Sequence, residues 1–282
     1  MRFVGHSGAR VTLRRQGGGA VVRKMAGTPE RNERLQKQCE KQTRFSKAGV
    51  ACPKVLSTGY ENGEFWFDME FVPGMSIAHQ HVTGQPVNHG GLTKALLTWL
   101  EQFAQSRFGT IPVDTFHNKI NQIIIRCNSQ PNLDGLQGII RDYGDLLCRY
   151  DWAGIPETEC HGDLTFENVL YDKNGKFVLI DMDVPDISSW YMDVGKIFQD
   201  VMGHWCLRRL ALEEPGTLAF LNAQVALNRT GGYMVSMLRE IDPNILNKLP
   251  QLAALNLLRA LPYCGDEKVA VFILSRLNSM FS

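Results

Sequence analysis

Two short segments hold the residues best suited to chemistry: His161-Gly-Asp-Leu-Thr-Phe-Glu-Asn168 and, a few residues on, Leu179-Ile-Asp-Met-Asp183. Between them lies Asp172-Lys173-Asn174-Gly175, whose Asn-Gly favours a tight reversal between the apolar runs Val169–Tyr171 and Phe177–Ile180. Pairing Tyr171 with Lys176 sets Asn168 opposite Leu179 and Phe166 opposite Asp181. Asn168 and Asp181 then reach one small volume, where an amide oxygen and a carboxylate offer the hard oxygen ligands that Mg²⁺ takes. Asp163, five residues before Asn168, is placed to orient or deprotonate a hydroxyl beside the metal.

The surrounding chain supplies the frame. Residues 1–72 read as strand-rich. Val11–Leu13 and Ala20–Val22 flank a glycine-rich turn, and Phe65, Phe67, Met69 and Phe71 alternate with polar or bulky neighbours, the period of a strand with one buried face. A polar helix lies between these strands, with Thr28 as cap, Pro29 in its first turn and Gly49 at its end. Pro73-Gly74 marks a boundary. Beyond it, 92–108, 120–150, 244–261 and 266–281 carry apolar residues every three or four positions and read as helices.

The run from His161 to Asp183 resembles the catalytic loop and metal-binding segment of the aminoglycoside phosphotransferase and choline kinase family, small-molecule kinases with the protein-kinase-like fold. The resemblance implies an α+β bilobal chain: a small β-rich N-terminal nucleotide-binding lobe over 1–72, a hinge at about 69–74, and a larger, mainly helical C-terminal lobe over 75–282. It implies Asp163 as the catalytic Asp, Asn168 and Asp181 as metal ligands, and ATP with Mg²⁺ as cofactors. Val21-Val-Arg-Lys24 resembles the strand with the phosphate-contacting Lys, and Glu40, sixteen residues after Lys24, takes the place of its helix partner, with Glu33 as fallback. Asp68-Met-Glu-Phe-Val-Pro-Gly74 resembles the hinge, where Glu70, Phe71 and Val72 would hold adenine. Asp193 resembles the residue that braces the catalytic loop.

The sequence also departs from the pattern. Gly5-His-Ser-Gly-Ala-Arg10 stands where a Gly-rich phosphate loop is expected, with Gly5, Ser7 and Gly8 as its candidate contacts, but it is not Gly-x-Gly-x-x-Gly. Asp181 is followed by Met-Asp-Val-Pro, and only twelve residues separate it from Asp193. That leaves no room for a long activation loop, which favours a small-molecule kinase over a protein kinase. Asp183, Asp186 and Trp190 are candidates for the acceptor site or for support behind the metal ligands. For Trp190 the competing reading is core packing; for His161 it is a hydrogen bond that supports the loop; for Asp186 it is a solvated charge.

The 282 residues carry 30 Lys plus Arg against 29 Asp plus Glu, a net charge of +1, so no global field favours nucleic acid or anionic lipid. Near-neutrality also weighs against a polycationic acceptor. The seven cysteines form no Cys-x-x-Cys, consistent with a reducing cytoplasm, and no apolar run suits a secretory peptide or a membrane span. The expected function is an ATP-dependent kinase acting on a small-molecule hydroxyl, with a sugar or sugar-derived intermediate, such as one used for cell-surface polysaccharide, placed first by family analogy. Choline-like, ethanolamine-like or aminoglycoside acceptors come second, and a catalytically silent nucleotide-binding module is the competing class. Oligomeric state is left open by one sequence.

Overall fold

The computed structural model describes residues 2–4, 8–16 and 19–282. In chain order it runs β1 (Arg2–Val4), β2 (Arg10–Gln16), β3 (Gly19–Met25), α1 (Asn32–Lys47), β4 (Val55–Glu61), β5 (Glu64–Glu70), β6 (Gly74–Ser76), α2 (Ile77–Val82), α3 (His89–Ala104), β7 (Gly109–Thr110), α4 (Val113–Asn128) and α5 (Gln137–Cys148). It continues with β8 (Pro156–Glu157), β9 (Val169–Asp172), β10 (Phe177–Leu179), α6 (Trp190–Val201), α7 (Arg208–Glu213), α8 (Leu218–Ile241), α9 (Leu249–Leu258) and α10 (Glu267–Phe281). The contacts divide the chain into two units, one of residues 1–76 with 168–185 and one of 77–167 with 186–282.

The first unit is built on an antiparallel sheet of order β1-β2-β3-β5-β4. α1 packs Leu35 and Cys39 onto Phe65, Phe67 and Ala26, with Val55 and Met69 at the edge of this small core. Pro29–Arg31 form a 3₁₀ turn before α1, and Gly49, with φ +86°, ends the helix region as its sequence position suggests. A second sheet of order β10-β9-β6 explains why 168–185 belong to this unit although a boundary at 74 would separate them: β6 pairs with β9, Gly74 opposite Asp172 and Ser76 opposite Leu170. A Cβ at Gly74 would lie 2.5 Å from the Tyr171 carbonyl oxygen, so only glycine lets the strands approach.

The second unit is helical. Its centre is α6, where every residue except Lys196 is buried. A Cβ at Gly195 would come within 2.7 Å of Asn256 and 2.9 Å of Leu252, so this glycine lets α9 close onto α6. The long helical stretch expected over 120–150 is two helices, α4 and α5, because Pro131 opens a 3₁₀ turn between them. Phe116 on α4 stacks on Trp152 at 4.6 Å. Among the described residues no helix is long and apolar enough to cross a membrane.

Candidate active site

In the first unit, Lys24 and Arg23 leave β3 on opposite faces, as strand geometry requires. Arg23 pairs with Asp68 at 2.7 Å and lies over Trp66 at 3.5 Å. Lys24 is buried and turned toward α1, where its Nζ donates to Gln38 Oε1 at 2.9 Å and forms an ion pair with Asp181. Glu40 therefore does not take the expected role. Leu35, Cys39 and Phe45 fix the inward face of α1 and carry Gln38 and Gln42 with them, leaving Glu40 exposed on the far side. The fallback, Glu33, is also exposed and pairs with Lys37 at 2.6 Å.

The hairpin register also differs from the sequence reading by one residue. Tyr171 faces Phe177 and Val169 faces Leu179, so the loop is Lys173-Asn174-Gly175, closed where the Asp172 N–H donates to the Lys176 carbonyl at 2.8 Å. Gly175, at φ +78°, supplies the left-handed residue of a three-residue hairpin. The Asp172 carboxylate accepts from the Asn174 and Lys176 N–H groups at 2.8 Å each. One residue of slip exchanges strand faces. Ile180, not Leu179, stands by Asn168, its N–H donating to the Asn168 carbonyl at 3.0 Å.

Asp181 follows directly, with φ +57°, a left-handed conformation that a non-glycine residue adopts only under constraint. Its side chain keeps 44% of its accessible surface, whereas Lys24 keeps 4%. Asn168 is buried. Asp183 is held by Arg34 at 2.6 Å, by Gln38 Nε2 at 2.7 Å and by its own following N–H, from Val184, at 2.9 Å. Burial raises its pKa, but these donors and the Arg34 charge outweigh that and hold it below the usual carboxylate range. Lys41 donates to the Asp183 carbonyl at 2.5 Å. Glu70, Phe71 and Val72 line a recess of about 430 Å³ with Ala51, Leu56 and Val178. Gly8, with φ +71°, packs against the Arg31 guanidinium; Gly5 and Ser7 lie outside the described residues.

In the second unit, the loop 161–166 has no regular backbone pairing, so its buried N–H groups need acceptors from elsewhere. α6 provides them. The Asp193 carboxylate accepts from the His161 N–H and from the Gly162 N–H at 2.8 Å, and Asp200 accepts from the Phe166 N–H at 2.6 Å. His161 is buried, its Nδ1 accepting from the Asp163 N–H at 3.3 Å, so it is a hydrogen-bonding support of the loop. Gly162, at φ +94°, makes the bend that presents Asp163. The Asp163 carboxylate lies 3.0 Å from Lys196 Nζ and keeps 39% of its surface. Packing around Asp163 raises its pKa, but the Lys196 charge and hydrogen bond, helped by His161 and Arg259, hold it below the usual range.

Two acceptor-site candidates sit differently from expectation. Trp190 is 2% exposed and packs edge-on against Tyr191 at 4.8 Å, because it opens the helix at the centre of the core; it has no face to offer a ligand. Asp186 is exposed but ion-paired with Lys119 at 2.5 Å. Sequence reading missed Gln38, Lys196 and Asp200. The signal for the last two is the spacing Asp193, Lys196, Asp200 on a largely apolar helix, which sets three ionisable side chains along one face.

The model of a family described as APH, phosphotransferase enzyme family, matches residues 3–221. No curated protein sequence matches the chain. Among solved structures, a protein described as a fructosamine-3-kinase from Haemophilus somnus 129PT is 13% identical, with 100% of this chain and 90% of that one covered and a TM-score of 0.60. The choline kinase LicA from Streptococcus pneumoniae is also 13% identical, covering 96% of this chain and 89% of its own, with a TM-score of 0.62. A structure of LicA in complex with AMP covers 99% and 88%, with 13% identity and a TM-score of 0.50. These similarities show a shared α+β kinase fold. With its family's model running over more than half of its length, the chain belongs to the phosphotransferase enzyme family and is a kinase.

Proposed function

We propose that the protein transfers the γ-phosphate of ATP to a hydroxyl of a small molecule, first among them a sugar or sugar-derived intermediate. The observation that carries the reading is that one unit holds Lys24, Asp181 and Asn168: a buried ammonium on a strand is paired with a carboxylate that keeps its exposure and its constrained backbone, and the residue before that carboxylate is hydrogen-bonded to the backbone of the buried Asn168. In this reading Lys24 steadies the α and β phosphates. Asn168 and Asp181 are an all-oxygen donor set, which suits Mg²⁺, and that ion would neutralise charge on the β and γ phosphates when bound. Asp183, gripped by Arg34 and Gln38, holds the segment that carries Asp181. The AMP complex of LicA supports an adenine nucleotide, held by the backbone of Glu70, Phe71 and Val72.

The second unit's Asp163 orients the acceptor. The hydroxyl oxygen forms a bond to the γ-phosphorus while the bond from that phosphorus to the β–γ bridging oxygen breaks. ADP leaves, and the hydroxyl proton passes to the Asp163 carboxylate. Positioning and charge neutralisation supply most of the rate. The ion pair at Asp186 leaves it poorly suited to greet a cationic acceptor, which favours a neutral sugar over choline or an aminoglycoside. Coupled ADP release measured across sugars, amino alcohols, aminoglycosides and nucleosides tests the proposal. Turnover with a sugar class is expected; turnover confined to choline or aminoglycosides moves the acceptor, and ADP release with none of them contradicts the proposal.

A further inference from the structure

We infer that Lys196 is the positioning residue of Asp163, fixing the direction and the charge of the carboxylate that takes the acceptor hydroxyl; this rests on the role proposed for Asp163 above. The three ionisable residues of α6 divide their work. Asp193 and Asp200 accept backbone N–H groups of the loop, which any loop of this shape requires. Lys196 meets a side-chain carboxylate instead, at 3.0 Å. The Asp163 backbone is served elsewhere, its N–H by His161 Nδ1 and its carbonyl by the Thr165 N–H at 2.8 Å. The ion pair is therefore surplus to loop folding.

An ammonium keeping 13% of its surface in an otherwise buried helix costs desolvation that a partner must offset. The partner here is the group whose protonation state matters for accepting a hydroxyl proton. Lys196 from α6, His161 from the loop and Arg259 from the end of α9 act on Asp163. All three favour the carboxylate, and Lys196 is the largest of them. Removing its charge leaves burial with weaker opposition. The acid then titrates higher, and its oxygens lose the contact that aims them.

The test follows the Asp163 carboxyl by ¹³C NMR in aspartate-labelled protein, assigned by the resonance lost in Asp163→Asn. It compares wild type with Lys196→Arg and Lys196→Met, and with Lys196→Gln in place of Lys196→Met if the latter melts early. The wild-type midpoint is expected below the ordinary aspartate value of about 3.9, the Arg variant close to it, and the Met or Gln variant higher by about one pH unit or more. In the same proteins ADP release at saturating Mg·ATP, with the acceptor from the panel or with water, should fall about tenfold or more in the Met or Gln variant with KM for ATP unchanged. Lys196→Arg should recover it. An unmoved midpoint in the Met or Gln variant, or an Arg variant as impaired as Met, overturns the inference. The NMR titration needs no turnover, so a protein without transferase activity would sink the proposed function while leaving this readout to decide on Lys196.

Discussion

Lys24 Nζ donates to Gln38 Oε1 at 2.9 Å, and Gln38 Nε2 in turn donates to Asp183 at 2.7 Å. A neutral amide thus bridges the strand lysine and the acidic segment, so the counter-charge of Lys24 is Asp181 and not an acid on α1. Gln38→Ala removes both bonds and is expected to raise KM for ATP several-fold, the consequence of losing about 1 kcal/mol of hydrogen bonding at each end. Glu40→Ala, on the exposed face, should leave KM within about twofold of wild type. Steady-state kinetics on the two variants side by side check this, and an effect of Glu40→Ala equal to that of Gln38→Ala would contradict the assignment.

Asp193 satisfies two buried N–H groups at once. Asp193→Ala leaves both without an acceptor, and hydrogen bonds to a charged group contribute about 1.5–3 kcal/mol each. Loss of about 3 kcal/mol or more in denaturant unfolding is expected, with Asp193→Asn intermediate. A midpoint shift worth less than about 1 kcal/mol in Asp193→Ala would show that the loop finds other acceptors.

Much of this was legible in the sequence. The His161–Asp183 run identified the loop and the hairpin, Asp193 stood out twelve residues beyond Asp181, and strand alternation separated Lys24 from Arg23. The hairpin register was not legible because Asn174-Gly175 fits several loop lengths; only the Asp172 side chain, capping two N–H groups, fixes the three-residue form. Gln38 was legible in principle, since Leu35, Cys39 and Phe45 define the face it shares, but the spacing of an acidic residue outweighed the phase of the helix. Lys196 and Asp200 depend on how α6 lies along a loop, a tertiary relationship that residue spacing suggests but does not establish.

Asp200 is fully buried, with Oδ1 unpartnered among the described residues. Burial pushes its pKa up to about 7, against the pull of the Phe166 N–H. A carboxyl whose folded pKa lies above its unfolded one is stabilising while protonated, and that contribution is present below about 4 and fades as pH climbs through about 7. Wild type should therefore lose stability relative to Asp200→Asn between about pH 4 and 7, by at most about 1.4 kcal/mol per pH unit, and run parallel to it above. Urea melts of both proteins across that range decide it; parallel curves throughout would contradict a neutral buried Asp200.

His81 on α2 is buried with both ring nitrogens unpartnered among the described residues and lies 5.8 Å from the Phe166 ring. Burial, with a smaller push from His89, drags its pKa down to about 4. The folded protein holds it neutral, so the stability tied to that neutral form is complete above about 6.5 and is lost as pH falls through about 4. His81→Leu removes a buried polar ring at similar volume and should be as stable as wild type or more so at neutral pH, with a shallower loss on acidification. Thermal melts at pH 7 and pH 5 compare the two, and a steeper acid loss in the variant would contradict the account.

The central claim is that Asp163 and Asp181 serve one phosphoryl transfer to a hydroxyl. ³¹P NMR of wild type, Asp163→Asn and Asp181→Asn, each with Mg·ATP and a mixed pool of sugars, tests it most directly. Wild type should convert ATP to ADP and a new phosphomonoester, while both variants, folded by circular dichroism, fall by about a hundredfold or more. Near-native phosphomonoester formation by either variant would contradict the account.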